Sequence, residues 1–169
     1  YKRQLIDSGA LTSAVASTSS HFCSAERQYR NPLEYGGQRP PSAQWTVTGA
    51  GAAILKASTP DTPHVNAVIF GKIRDLGITD ANNMGAAMAP AAAETISAFI
   101  NDTHTKPDDF DLILTGDLGE VGSSLLKELL IKENNLDISK VHNDCGLMIY
   151  DLQNQDVHSG GSGCGCSAS

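Results

Sequence analysis

The sequence predicts an α/β fold with a sheet covered by helices on both faces. Runs such as Val68–Phe70 (VIF) and Leu112–Thr115 (LILT) suit strands buried on both sides. Apolar residues recur at helical spacing after Pro90 and again from Leu125 to Leu130. Strands alternate with helices in the second half, while the first half is richer in strands.

Tyr1–Gly9 reads as the end of a helix closed by Gly9, where a left-handed backbone is favoured. Leu11–Thr18 is short, small and partly β-branched, and predicts a buried strand. Ser24–Arg30 has the makings of a helical turn. The stretch 31–43 holds three of the seven prolines plus Gly36-Gly37 and predicts an irregular loop. Trp45–Gly49 and Gly51–Lys56 predict two strands with a tight bend between them. His64–Arg74 (HVNAVIFGKIR) is the clearest strand run, and 75–85 a polar loop. Pro90 suits the first turn of a helix whose apolar face is Ala91, Ala92, Thr95, Ile96, Phe99 and Ile100. Phe110–Thr115 predicts a strand, 116–119 a turn, and Ser123-Ser124 the opening of a helix with Leu125, Leu126, Leu129 and Leu130 as its buried stripe. Gly146–Tyr150 (GLMIY) predicts a further strand, and 160–163 a tight glycine turn.

Composition narrows the function. The 169 residues are 40% hydrophobic and 18% charged, enough to bury a core and too apolar for a disordered chain. No run of about eighteen apolar residues predicts a membrane span. With 12 Lys+Arg against 19 Asp+Glu the net charge is −7, which argues against a nucleic-acid partner. The first residues have no initiator Met and no signal-peptide core, and the last form a small-residue run, so both ends read as cut from a longer protein. Cysteines stand at 23, 145, 164 and 166, and are expected to be reduced thiols.

Four groups carry candidate chemistry. In Gly160–Ser169 (GGSGCGCSAS), glycines permit close backbone approach, and Cys164 or Cys166 at a following helix start could be a thiolate; equally, small residues there suit a helix packed in the centre of a fold. His142, Cys145, His158, Cys164 and Cys166 could supply zinc ligands, but their spacing matches no common zinc pattern, so metal binding is a minor option and no metal is expected. His21, Glu26, Arg27 and Arg30 follow a strand end, where two arginines could hold a carboxylate bidentately or Glu26 and Arg27 could merely fix a loop. Asp117 in Thr115–Gly119 is a base, a carboxylate orienting a donor, or a charge at a helix N-terminus. Asp108, Asp109 and Asp111 read as a solvated acidic turn without a role.

Five long ungapped stretches resemble one known family: SSHFCSAERQYRNPLEYGGQRPPSAQWTVTGAGAAIL, GKIRDLGITDANNMGAAMAPAAAETI, DLILTGDLGEVGS, HNDCGLMIY and GGSGCGCSA. They are similar to the stage V sporulation protein AD family of spore-forming bacteria, within the thiolase-like superfamily. The resemblance implies two similar halves in a five-layered α/β/α/β/α assembly, with residues 1–75 ending the first half and 76–169 forming most of the second. It also implies that the superfamily's nucleophilic cysteine lies before Tyr1. Gly161 stands where acyl-condensing members carry a catalytic Asn, and TGDLGEVG lacks the His that they carry in this segment. A thiolase fold without thiolase chemistry, and without a cofactor, is therefore expected.

What the resemblance implies instead is binding of dipicolinic acid, with or without calcium. The protein would act at the inner spore membrane as a peripheral component of the forespore, beside other stage V sporulation membrane proteins, with a homodimer possible. A pocket for that aromatic dicarboxylate needs cationic donors, backbone N–H groups and small residues. His21, Arg27, Arg30, Asp117, Gly161, Ser162, Gly163 and Cys164 are the candidate contacts. Two rivals remain: an acyl-condensing enzyme with Asp117, His142 or Cys164 as helpers, and an assembly scaffold.

Overall fold

The computed structural model describes residues 2–20, 40–46, 49–57, 59, 61–80 and 82–162. Helix α1 (Lys2–Asp7) closes at Gly9, whose φ is +73° and whose N–H reaches Ile6 O at 2.9 Å. The following strand β1 (Ser13–Ser20) runs antiparallel to β3 (Gly49–Lys56), in register from Ser13 opposite Lys56 to Ser20 opposite Gly49. The expected burial of this strand is not observed: Val15 is 56% and Ile54 74% exposed. A two-stranded ribbon has two faces, and among the described elements only α1 packs closely on it.

Strand β2 (Trp45–Thr46) does not bend back onto β3. It pairs in parallel with β6 (Gly161–Ser162), far along the chain. His64–Arg74 is also not a strand. It is irregular, and Phe70 and Ile73 are 93% and 99% exposed. High β-propensity makes no strand without a partner to complete the ladder. Side chains hold its end instead, since Arg74 and Lys72 both pair with Glu94 on the next helix.

Helix α2 (Met84–Thr103) opens at Asn83, whose side chain accepts from Ala86 N at 3.3 Å. The cap sets the start six residues before Pro90, so the proline lies inside the helix and not in its first turn. The buried face is also rotated from the expected one: Gly85, Ala89, Ala93, Ser97 and Ile100 face inward. A short 3-10 turn (Pro107–Asp109) follows, where Asp109 Oδ2 accepts from Lys106 N at 2.8 Å, so one of the acidic-turn residues does have a local role.

Strand β4 (Ile113–Thr115) is shorter than expected, and helix α3 (Gly119–Asn134) starts four residues before Ser123. Strand β5 (His142–Asp144), absent from the sequence expectation, pairs in parallel with β4, with Thr115 opposite Asp144. GLMIY, expected as a strand, is instead mostly helix α4 (Cys145–Ile149), because Asp144 accepts from Gly146 N at 3.0 Å and caps a helical turn. The β4–β5 sheet is covered on one face: Ile113 joins the core, whereas Leu112 and Leu114 are about half exposed.

The core lies between α2 and α3 and comprises Ala89, Ala93, Leu118, Leu126, Leu130 and Ile138. Leu126 and Leu130 are fully buried, as their spacing requires, with Leu125 and Leu129 at the margin.

Candidate ligand-binding site

Parallel strands β4 and β5 end side by side at Thr115 and Asp144, and ligands of α/β sheets bind beyond such strand ends. Asp144 is fully buried. Its Oδ2 accepts from Thr115 Oγ1 at 2.6 Å and Leu118 N at 3.0 Å; its Oδ1 accepts from Gly119 N and Gly146 N, both at 3.0 Å. One carboxylate thus satisfies the first amides of two helices, α3 and α4, and favours their positive ends.

Ser159 completes the opening of α3. Its carbonyl accepts from Glu120 N at 2.9 Å and its Oγ from Val121 N at 3.2 Å. Ser159 N in turn donates to Ala43 O, and Trp45 N to Gly160 O at 2.8 Å, which lays β2 along the glycine strand. Gln44 spans the same corner, its Nε2 donating to Asp117 O at 2.9 Å. The amides from Leu118 to Val121 are therefore already occupied, and this helix start is not an open anion site.

Small residues set the contacts around it. Gly119 has φ +61°, and a Cβ there would lie 2.4 Å from Ser159 O. A Cβ on Gly146 would lie 2.2 Å from Gly161 O, and one on Gly161 would lie 2.4 Å from Tyr150 Cε2. Strand β6, turn 144–146 and the Tyr150 ring are thus stacked, and a side chain at 161 would have to displace that ring.

Two titratable groups border the carboxylate. His142 is 9% exposed, with Nε2 3.0 Å from Thr115 Oγ1 and Nδ1 buried without a hydrogen-bond partner. Burial, with help from Lys127, holds its pKa below the usual histidine value, against the pull of Asp144. Cys145 is buried and free, and burial, then the charges of Asp144 and Asp117, push its thiol up, away from thiolate chemistry.

Of the residues selected from sequence, the structure places Asp117 half-buried on the strand-end loop and Gly161 in β6 at the same corner. Ser162 is there through its backbone, opposite Thr46. Within the expected 160–163 turn, Gly161 and Ser162 form a strand pairing instead, entered through Gly160 at φ +90°. His21, Arg27, Arg30, Gly163 and Cys164 lie outside the described residues. Sequence reading missed Asp144, Thr115, Ser159 and Gln44; the one local signal was Asp144 itself, a residue type favoured at helix N-caps. Among the described residues no group of three or more His, Cys, Asp and Glu could hold a metal ion.

Fold and site together define an α/β chain whose strand-end corner is locked by a buried carboxylate and a glycine strand. The family model of stage V sporulation protein AD (SpoVAD) matches residues 2–169, and the chain belongs to that family. Stage V sporulation protein AD of Bacillus subtilis (strain 168) is 51% identical over 164 residues, which cover 97% of this chain and 48% of that protein. The chain therefore spans about half the length of this relative, and sporulation is the process in which its family stands.

Proposed function

We propose that this chain is part of a non-catalytic sporulation protein with a thiolase-like fold. It binds dipicolinic acid, or its calcium chelate, and supports uptake of that ligand into the developing spore. In this reading the protein sits peripherally at the inner spore membrane on the forespore side and works with other stage V sporulation membrane proteins. Among the described residues no helix is long and apolar enough to cross a membrane.

One observation carries the non-catalytic part. Position 161, where acyl-condensing members of the resembled superfamily place an Asn, is a glycine packed against the Tyr150 ring, and a Cβ there would lie 2.4 Å from that ring. The oxyanion-stabilising amide is therefore missing at that point of the backbone. Ligand contacts then come from Asp117, the backbone of Gly161 and Ser162, and from His21, Arg27 and Arg30.

Calorimetric titration of the full-length protein with dipicolinate, with and without calcium, and in parallel with acetyl-coenzyme A, tests this. Binding of dipicolinate alone is the expected result. Binding or turnover of the thioester alone would replace the carrier reading with that of an acyl-transferring enzyme.

A further inference from the structure

We propose that His142, Thr115 and Asp144 form a proton-responsive relay that couples the state of a buried imidazole to the strand-end loop 116–119 and the first turn of α4. The relay itself stands on the geometry; its effect on ligand affinity rests on the binding reading above.

Thr115 Oγ1 carries one hydrogen. The Asp144 carboxylate, 2.6 Å away, can only accept, so that hydrogen goes to Oδ2. His142 Nε2, 3.0 Å from the same hydroxyl oxygen, must then be the donor to it. This assigns the neutral tautomer protonated on Nε2 and leaves Nδ1 bare, which matches its burial without a partner. Three side chains thus form one directed chain of hydrogen bonds, ending on the carboxylate that also holds the N–H groups of Leu118, Gly119 and Gly146.

Protonation adds a hydrogen at Nδ1, where no acceptor is in reach. A buried unsatisfied donor is costly, and the added charge also faces Lys127 on α3, with Asp144 on β5 as the opposing charge. The ring relieves this by moving toward water, which takes Nε2 away from Thr115. The Thr115 hydroxyl keeps its hydrogen on Asp144 but loses the ring that braces its oxygen, with Asn143 O as a second acceptor 3.4 Å away, so Asp144 is held less firmly and its grip on the three loop amides loosens. Asp117 lies within this loop, and Gly161 packs on Gly146, so both candidate ligand contacts follow. Ligand affinity therefore falls as the imidazole is protonated.

The test uses the full-length protein and needs no mutation at first. Heteronuclear NMR follows the His142 ring nitrogens and the amides of Leu118, Gly119 and Gly146 from about pH 8 to about pH 5. The expected result is one shared midpoint, kept in Thr115→Ser and lost from the amides in Thr115→Val. Amides that ignore the ring, or that still follow it in Thr115→Val, would overturn the relay. Calorimetry then measures dipicolinate affinity over the same range: a drop of about fivefold or more is expected, flattened in His142→Gln. A flat profile alongside co-titrating amides would overturn the link to the ligand, whereas no dipicolinate binding at any pH would defeat the binding reading and leave the relay to be judged on the NMR result.

Discussion

Gly85 and Gly122 meet backbone to backbone where α2 crosses α3. A Cβ on Gly85 would lie 2.7 Å from Leu118 O and 2.8 Å from Gly122 N; one on Gly122 would lie 2.9 Å from Gly85 Cα. Alanine normally stabilises a helix interior relative to glycine. Here it forces the helices apart, so Gly85→Ala or Gly122→Ala is expected to cost about 1–3 kcal/mol, read as a lower melting temperature of the full-length protein. A rise in melting temperature would mean that the crossing opens without loss.

Removing the Asp144 carboxylate leaves the N–H groups of Leu118 and Gly119 buried without acceptors. Asp144→Ala is expected to destabilise by about 3 kcal/mol or more in urea titration. Asp144→Asn keeps one acceptor oxygen but turns an NH2 toward a donor, so it should fall between the two. A change below about 0.5 kcal/mol in Asp144→Ala, the range of an ordinary surface substitution, would show that the cap is dispensable.

Stability should also depend on pH through His142. Unfolded, the imidazole titrates near 6.5; folded, burial holds it lower. Between those values the unfolded chain binds a proton that the folded one refuses. The contribution is thus complete above about pH 6.5 and is lost as pH falls toward the folded value. Denaturation midpoints measured across this window should decline toward acid in the parent protein and decline less in His142→Gln. Parallel curves would remove His142 as the cause.

Cys145 is expected to resist alkylation. With its thiol buried and its pKa raised, little thiolate exists near neutral pH. Peptide mass spectrometry after iodoacetamide treatment of the native protein should find it unmodified, and modified after denaturation. Rapid native labelling would contradict the burial.

What the sequence made legible was the part governed by local repetition. The leucine stripe of α3 needs only helical spacing to be read, and Leu126 and Leu130 lie where it puts them. The strand-end position of Asp117 followed from an apolar run meeting a glycine turn. GLMIY was misread because five apolar residues suit a strand or a short helix equally, and the deciding cap comes from Asp144 just outside the run. His64–Arg74 was misread for the opposite reason: its own preference is strong, but no described neighbour completes its ladder. Asp144 itself stayed hidden because its partners Thr115, Leu118 and Gly119 are reached only once β4 and β5 lie side by side.

The pairing of β2 with β6 has a consequence for the order of events during synthesis. Trp45 donates from Nε1 to Asp156 O, 111 residues later, and its strand partner Gly161 comes later still. β2 therefore leaves the ribosome long before its strand partner β6 exists. The α2–α3 pair, close in sequence, can assemble during that wait, since local contacts form before distant ones. The glycine strand arrives after both helices, and when Ser159 settles on the start of α3 it brings the waiting β2 with it.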